Sequence, residues 1–176
     1  NLISTQTASS SSTIDFTSGI DSTYKEYIFK FYDMHPSDTN VDGFKFQGST
    51  DGGSNYNLTI TSTYFRSTHD ESGSNGAVAY QASQDQGNGT SFQNISQSIG
   101  NDNDQSGAGI LHLFDPSSTT FVKHFLARTN NAHQSDKTRD VFTGGYFNTT
   151  SAINAIQFKM SAGNIDSGVI KMYGVT

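Results

Sequence analysis

Apolar residues along this chain recur at every second position rather than at helical spacing. Over residues 24–33, Tyr27, Phe29 and Phe31 share one face while Glu26 and Lys30 take the other, the mark of a strand buried on one side. The same alternation sets Phe44 and Phe46 against Lys45 and Gln47, Leu111 and Leu113 against His112, and Ile156, Phe158 and Met160 against Gln157 and Lys159; Leu58, Ile60 and Tyr64 fall in phase. Turn formers separate the runs: Asp51-Gly52-Gly53-Ser54, Ser72-Gly73-Ser74-Asn75-Gly76, Gly87-Asn88-Gly89, Asp115-Pro116-Ser117-Ser118 and residues 163–168. About ten to twelve short strands at this spacing predict an all-β fold, an antiparallel β-sandwich of jelly-roll type, rather than alternating βα units. Residues 109–114 with 119–128, and 155–162 with 169–175, read as two central hairpins. The Ser/Thr-rich tract at 7–13 reads as a connection at a sheet edge, and a single helical turn fits near 150–154.

Composition sharpens this picture. The 176 residues suit one domain spanning 1–176, long enough to bury most of its apolar surface. The only glutamates are Glu26 and Glu71, and the excess of Ser, Thr, Gly, Asn and Asp serves helices poorly, whereas Phe, Tyr, Ile, Val and Thr suit a pleated surface. A net charge of −6, with Lys and Arg scattered singly, offers no footprint for nucleic acid or an anionic membrane. No apolar run is long enough to cross a bilayer as a helix, and the opening residues lack the pattern of a signal peptide. With no cysteine, stability must come from packing, pairing or oligomerisation.

Candidate chemistry is sparse. Asp102, Asp104 and Ser106 in Asp102-Asn103-Asp104-Gln105-Ser106-Gly107 match the first half of a calcium loop, in which alternate oxygens wrap a hard cation. The twelfth position is Leu113 instead of a bidentate carboxylate, so the plainer reading is a solvated acidic hairpin tip, and no other cofactor is expected. His69-Asp70-Glu71 reads as a solvated loop, because adjacent residues rarely converge on one ion. His112 and His124 sit on the two strands of one predicted hairpin, and His35 and His133 sit in loops with nothing nearby in sequence to activate them. There is no Gly-x-Ser-x-Gly turn and no pair of strand-borne glutamates, so no catalytic residue is assigned and the chain is expected not to be an enzyme. The sequons at Asn57, Asn88, Asn94 and Asn148 are as many as composition alone predicts. Tyr24, Tyr32, Tyr56, Tyr64 and Tyr146 suit sheet margins or, if exposed, stacking on sugars.

Three stretches together carry a family resemblance: residues 14–24 running on through Tyr27-Ile28-Phe29-Lys30-Phe31, Leu111-His112-Leu113-Phe114-Asp115-Pro116-Ser117-Ser118 to Phe125, and Phe147-Asn148-Thr149-Thr150 to Val175. The chain resembles virion-associated proteins of tailed bacteriophages from marine and cyanobacterial hosts. That resemblance implies a capsid decoration or tail or head fibre protein at the virion surface, with no catalytic residues to carry over. Its expected partners are further copies of itself, most naturally as a homotrimer, and other capsid or tail proteins. The close, residues 165–174, is also similar to the last strand of carbohydrate-binding jelly rolls, which implies an alternative role in attachment to a host surface glycan through loops 67–76 or 130–140.

Overall fold

Tyr27, Phe29 and Phe31 are buried in alternation as the apolar pattern predicts, and twelve strands form: β1 (Leu2–Ser11), β2 (Ile14–Phe16), β3 (Glu26–Pro36), β4 (Phe44–Ser49), β5 (Ile60–Asp70), β6 (Gly76–Tyr80), β7 (Gln93–Ser96), β8 (Gly107–Phe114), β9 (Lys123–His133), β10 (Lys137–Phe147), β11 (Ala155–Met160) and β12 (Ile165–Val175). The structure, a computed structural model, describes every residue except Asn40. All pairings between strands are antiparallel. The strands form two layers, a large sheet of eight in the order β1-β12-β3-β8-β9-β10-β5-β6 and a small sheet of four in the order β2-β11-β4-β7. The fold is therefore an antiparallel β-sandwich of unequal sheets, one face of the larger being packed and the other open.

The buried faces meet in two chemically different halves. Near β11 the core is aromatic: Phe158 touches Phe16, Phe29, Phe31, Phe44 and Phe46, with ring centroids 5.3 to 6.3 Å apart. Near β7 it is polar. There Gln93 Nε2 donates to the carbonyls of Gln84 and Asn94, both at 2.9 Å, Ser62 Oγ donates to Gln93 Oε1 at 2.7 Å, and Ser96 Oγ donates to Asn131 Oδ1 at 3.0 Å. Buried Gln93 and Asn131 are tolerated because their side chains find partners among neighbouring polar groups.

The β8–β9 hairpin forms as expected, with Leu113 opposite Phe125. The second expected hairpin does not: β11 pairs with β2 and β4, while β12 pairs with β1 and β3. Residues 161–164 instead carry the chain between layers, with Met160 and Ile165 buried on the two sides of the turn. A corner that joins stacked sheets and a loop that joins neighbouring strands use the same short, Gly- and Asn-containing sequence, so alternation alone does not separate them. The Ser/Thr tract is not a bare connection either, since Thr7, Ser9 and Ser11 pair with Val169, Ser167 and Ile165 as part of edge strand β1. Residues 148–154 are irregular rather than helical.

Candidate functional site

The acidic loop at 102–107 is a tight turn. Gln105 N–H donates to the Asp102 carbonyl at 2.8 Å, and the buried Gln105 side chain accepts from Asp102 N–H at 3.3 Å. The Gln105 carbonyl is engaged by His35 Nδ1 at 2.7 Å and the Ser106 carbonyl accepts from Ala132 N–H at 3.0 Å, which leaves Asp102 and Asp104 exposed and Ser106 half-buried. Among the described residues no three His, Asp or Glu side chains are grouped to share a metal ion.

The histidines separate as well. His112 faces Leu126 in register, not His124, and its Nδ1 lies 2.5 Å from Glu26 Oε1 across β8 and β3. His124 stands opposite Tyr146. In the His69-Asp70-Glu71 loop, Asp70 caps its own turn, accepting from Ser74 N–H at 2.8 Å and from Asn75 Nδ2 at 3.0 Å. These bonds hold its carboxyl at about 2, the Asn75 side chain contributing most. His133, which sequence placed in a loop, ends β9 as a buried side chain whose pKa falls to about 4, chiefly through burial and then through Arg139, Lys137 and Arg66. Lys123 at the other end of β9 is also fully buried, its ammonium donating to the carbonyls of Phe121 at 2.7 Å and Thr149 at 3.0 Å. Burial lowers its pKa.

Of the tyrosines, Tyr64 is fully buried, Tyr24 and Tyr146 are half-buried against Tyr27 and His124, and Tyr56 packs near Phe92. Tyr32 alone of the five stands exposed, with Lys171 Nζ over its ring at 5.5 Å.

The most distinctive surface is the open face of the large sheet. Cross-strand register lines up Tyr80, Phe65, Phe142, Arg128, Ile110, Lys30 and Lys171 in one row, and Thr63, Gly144, Leu126, His112, Ile28, Tyr173 and Leu2 in the next. Gly144 has no side chain to fill its place, so a groove opens between Thr63 and Leu126, bordered by Phe65, Phe142 and Ile110. Leu126 is 55% exposed, Phe65 42% and Tyr80 56%, so large apolar side chains sit together in solvent. Arg128 grips Asp140 through Nε and Nη2 at 3.1 and 2.8 Å and covers the Phe142 ring at 4.8 Å, His112 meets Glu26, and Lys30 and Lys171 lie over the rings of Tyr173 and Tyr32. Beside this face runs edge strand β6, Gly76-Ala77-Val78-Ala79-Tyr80, which carries no charge and no proline and has Val78 75% exposed. Such an edge leaves backbone donors and acceptors ready for another strand.

A second, polar cleft gathers His69, Asp70, Glu71, Asn130, Lys137 and Thr138. It forms where the end of β5 and its following turn meet the β9–β10 hairpin, so the stretches 67–76 and 130–140, expected as loops, are largely strand ends.

Sequence reasoning passed over Phe65, Leu126 and Phe142. Their signal is present, since each occupies the outward phase of a strand where alternation calls for a polar residue. Taken together, the fold and these surfaces define a class: an all-β sandwich with an uncovered apolar sheet face and, among the described residues, no three His, Asp or Glu side chains grouped to hold a metal ion. No family model, no curated protein and no solved structure matches the chain.

Proposed function

We propose that this protein is a non-enzymatic structural component of a bacteriophage particle, a capsid decoration or tail or head fibre protein, that acts by self-assembly and surface display. The observation that carries this reading is the open apolar face of the large sheet, and the occupant it fits is a second copy of the chain. Eight strands about 4.8 Å apart and up to eleven residues long make a face of somewhat over 1,000 Å². A stable interface needs roughly 800 Å² from each partner. The layout also follows interface anatomy, an apolar centre of Leu126, Ile110, Phe65 and Phe142 flanked by internally neutralised charges and a rim of Lys30, Lys171 and Tyr32. The connections that pass repeatedly from one sheet to the other support a jelly-roll-like reading of the topology, and resemblance to virion proteins supports the setting.

Sedimentation at micromolar concentration tests the assembly. A closed trimer of the 19.0 kDa chain is expected, reduced to monomer by Leu126→Asp. A wild-type protein that sediments only as a 19.0 kDa species overturns it. Electron microscopy of intact phage particles with an antibody to this chain tests the setting, and unlabelled particles overturn that part.

A second reading, attachment to a host surface glycan, is favoured by one observation: the cleft between residues 67–76 and 130–140 presents Asn130, Asp70, Lys137 and Thr138 together, groups that bond hydroxyls. Reproducible binding on a glycan array, lost in Asn130→Ala, supports it; a blank array removes it.

A further inference from the structure

Arg66 and Arg139 take the inward phase of the large sheet at the polar end of the sandwich, with Lys137 and Asp70 in the same phase nearer the strand ends. Register places Arg66 opposite Val141 and Arg139 opposite Thr68, so the two share one face of neighbouring strands β5 and β10. Both are half-buried and both lean on Gln97, just beyond β7: Arg66 Nη1 donates to its side-chain oxygen and Arg139 Nη1 to its carbonyl at 3.3 Å. Neither meets a carboxylate, for the ion pairs among the described residues are Lys25–Asp115, His112–Glu26 and Arg128–Asp140. The nearest acids in sequence are engaged elsewhere, Asp140 with Arg128 on the open face and Asp70 within its own turn.

Two polar groups on this face of the two strands lack partners. Arg139 Nε is buried without a hydrogen-bond acceptor, and so is the hydroxyl of Tyr64, a residue that is 0% exposed and lies two positions before Arg66 on the same face of β5. Burial, followed by the charge of Arg66, lowers the Arg139 guanidinium to about 10, while burial raises the Tyr64 hydroxyl against the opposing pull of both arginines. The charges that act on neighbouring His133, those of Arg139, Lys137 and Arg66, are all positive in a chain whose net charge is −6. Two like charges in a poorly solvated site repel, and each unpaired donor keeps its desolvation cost. A single group relieves all of this at once if it is negative, compact and rich in lone pairs, because a guanidinium edge matches an oxyanion through parallel N–H bonds.

We propose that Arg66, Arg139 and Tyr64 form a receptor for an oxyanion, a carboxylate or sulfate group that accepts from Arg139 Nε–H, the Arg66 guanidinium and the Tyr64 hydroxyl. The site is separate from the assembly face, since these residues lie on the opposite side of the large sheet from Leu126 and Phe142. The same chemistry is available from a free inorganic anion and from an acidic sugar.

The test follows the thermal midpoint of the full chain in low-salt buffer as sodium sulfate, sodium acetate, sodium glucuronate or neutral glucose is added, with sodium chloride at matched ionic strength as reference. A saturable rise of about 3–6 °C at ten times the dissociation constant is expected for at least one oxyanion and none for glucose. Response to sulfate or acetate assigns a free anion, and response to glucuronate alone assigns an acidic sugar. Arg66→Gln and Arg139→Gln are each expected to abolish the rise. The inference is overturned if every anion merely matches chloride, or if either variant keeps the full response. Should neither variant fold, the Arg139 Nε–Hε resonance of the wild-type protein decides: saturable movement with the anion upholds the site, and a resonance that stays still overturns it.

Discussion

Phe65 and Phe142 stack face to face on the open side of the large sheet, with ring centroids 4.8 Å apart and planes 5° from parallel. They occupy directly opposed positions on β5 and β10, and Arg128 covers the second ring from β9. The pair fixes a flat apolar ledge in place without hiding it from solvent, which is the property a contact surface needs.

Phe142→Ala removes the ring that both Phe65 and Arg128 rest upon. A loss of about 1 kcal/mol in the stability of the isolated chain is expected, since an aromatic pair contributes roughly 0.5–1.5 kcal/mol beyond its buried area. Urea denaturation measures that loss, and sedimentation of the same variant is expected to show self-association weakened at least about tenfold, as for a central interface anchor.

Phe158→Ala acts on the other side of the sheet. Its ring is shared by five other phenylalanines from both layers, so the cavity cannot close by moving one neighbour. A destabilisation of about 3–5 kcal/mol is expected in chemical denaturation, against about 1 kcal/mol for Phe158→Leu.

Acid should weaken the fold through His133. Its folded pKa of about 4 lies below the ordinary 6.5, because burial and then Arg139, Lys137 and Arg66 disfavour the imidazolium; its Nδ1 accepts from Ser135 N–H at 2.9 Å. Between those values the unfolded chain takes up a proton that the folded chain refuses. The stabilisation is therefore complete above about pH 6.5 and is lost as the pH falls towards 4, amounting to about 3 kcal/mol across the window. Denaturant midpoints measured from pH 7 to 4 should fall for wild type and flatten in His133→Gln; parallel curves would contradict this.

Gly174 lies directly beneath the Tyr24 ring, and a β-carbon there would come within 2.2 Å of Tyr24 Cδ2. Gly174→Ala is expected to cost about 1–3 kcal/mol by displacing that ring. Tyr24 also contacts Tyr27 edge-on at 5.8 Å, and the chain contains no tryptophan, so tyrosine fluorescence should report the displacement directly.

The aromatic half of the core was legible in the sequence because its strands state their burial plainly: Tyr27, Phe29 and Phe31 in β3, or Ile156, Phe158 and Met160 in β11, are both apolar and inward. Strand β9 shows why the rest was not. Its burial alternates without a break from Lys123 to His133, yet the inward residues are Lys123, Phe125, Ala127, Thr129, Asn131 and His133, of which only Phe125 and Ala127 are apolar. Where partners across the sandwich satisfy buried polar groups, hydropathy loses its period while the pleat keeps it. The arginine site was hidden for the same reason, although the phase of Ile60 and Tyr64 does place Arg66 on the inward side. Pairing between β11 and β12 was misjudged because it depends on which sheet each strand joins, a long-range matter that local turn chemistry does not encode.

The unequal width of the two sheets sets an order in which the backbone loosens. Strand β6 contributes no buried residue, is paired on one side only through β5, and lies past the margin of the small sheet at β7. Its amide protons should therefore trade with solvent first, while those of β3 and β8, held between paired neighbours on both flanks and roofed by the aromatic layer, should trade only when the whole chain opens.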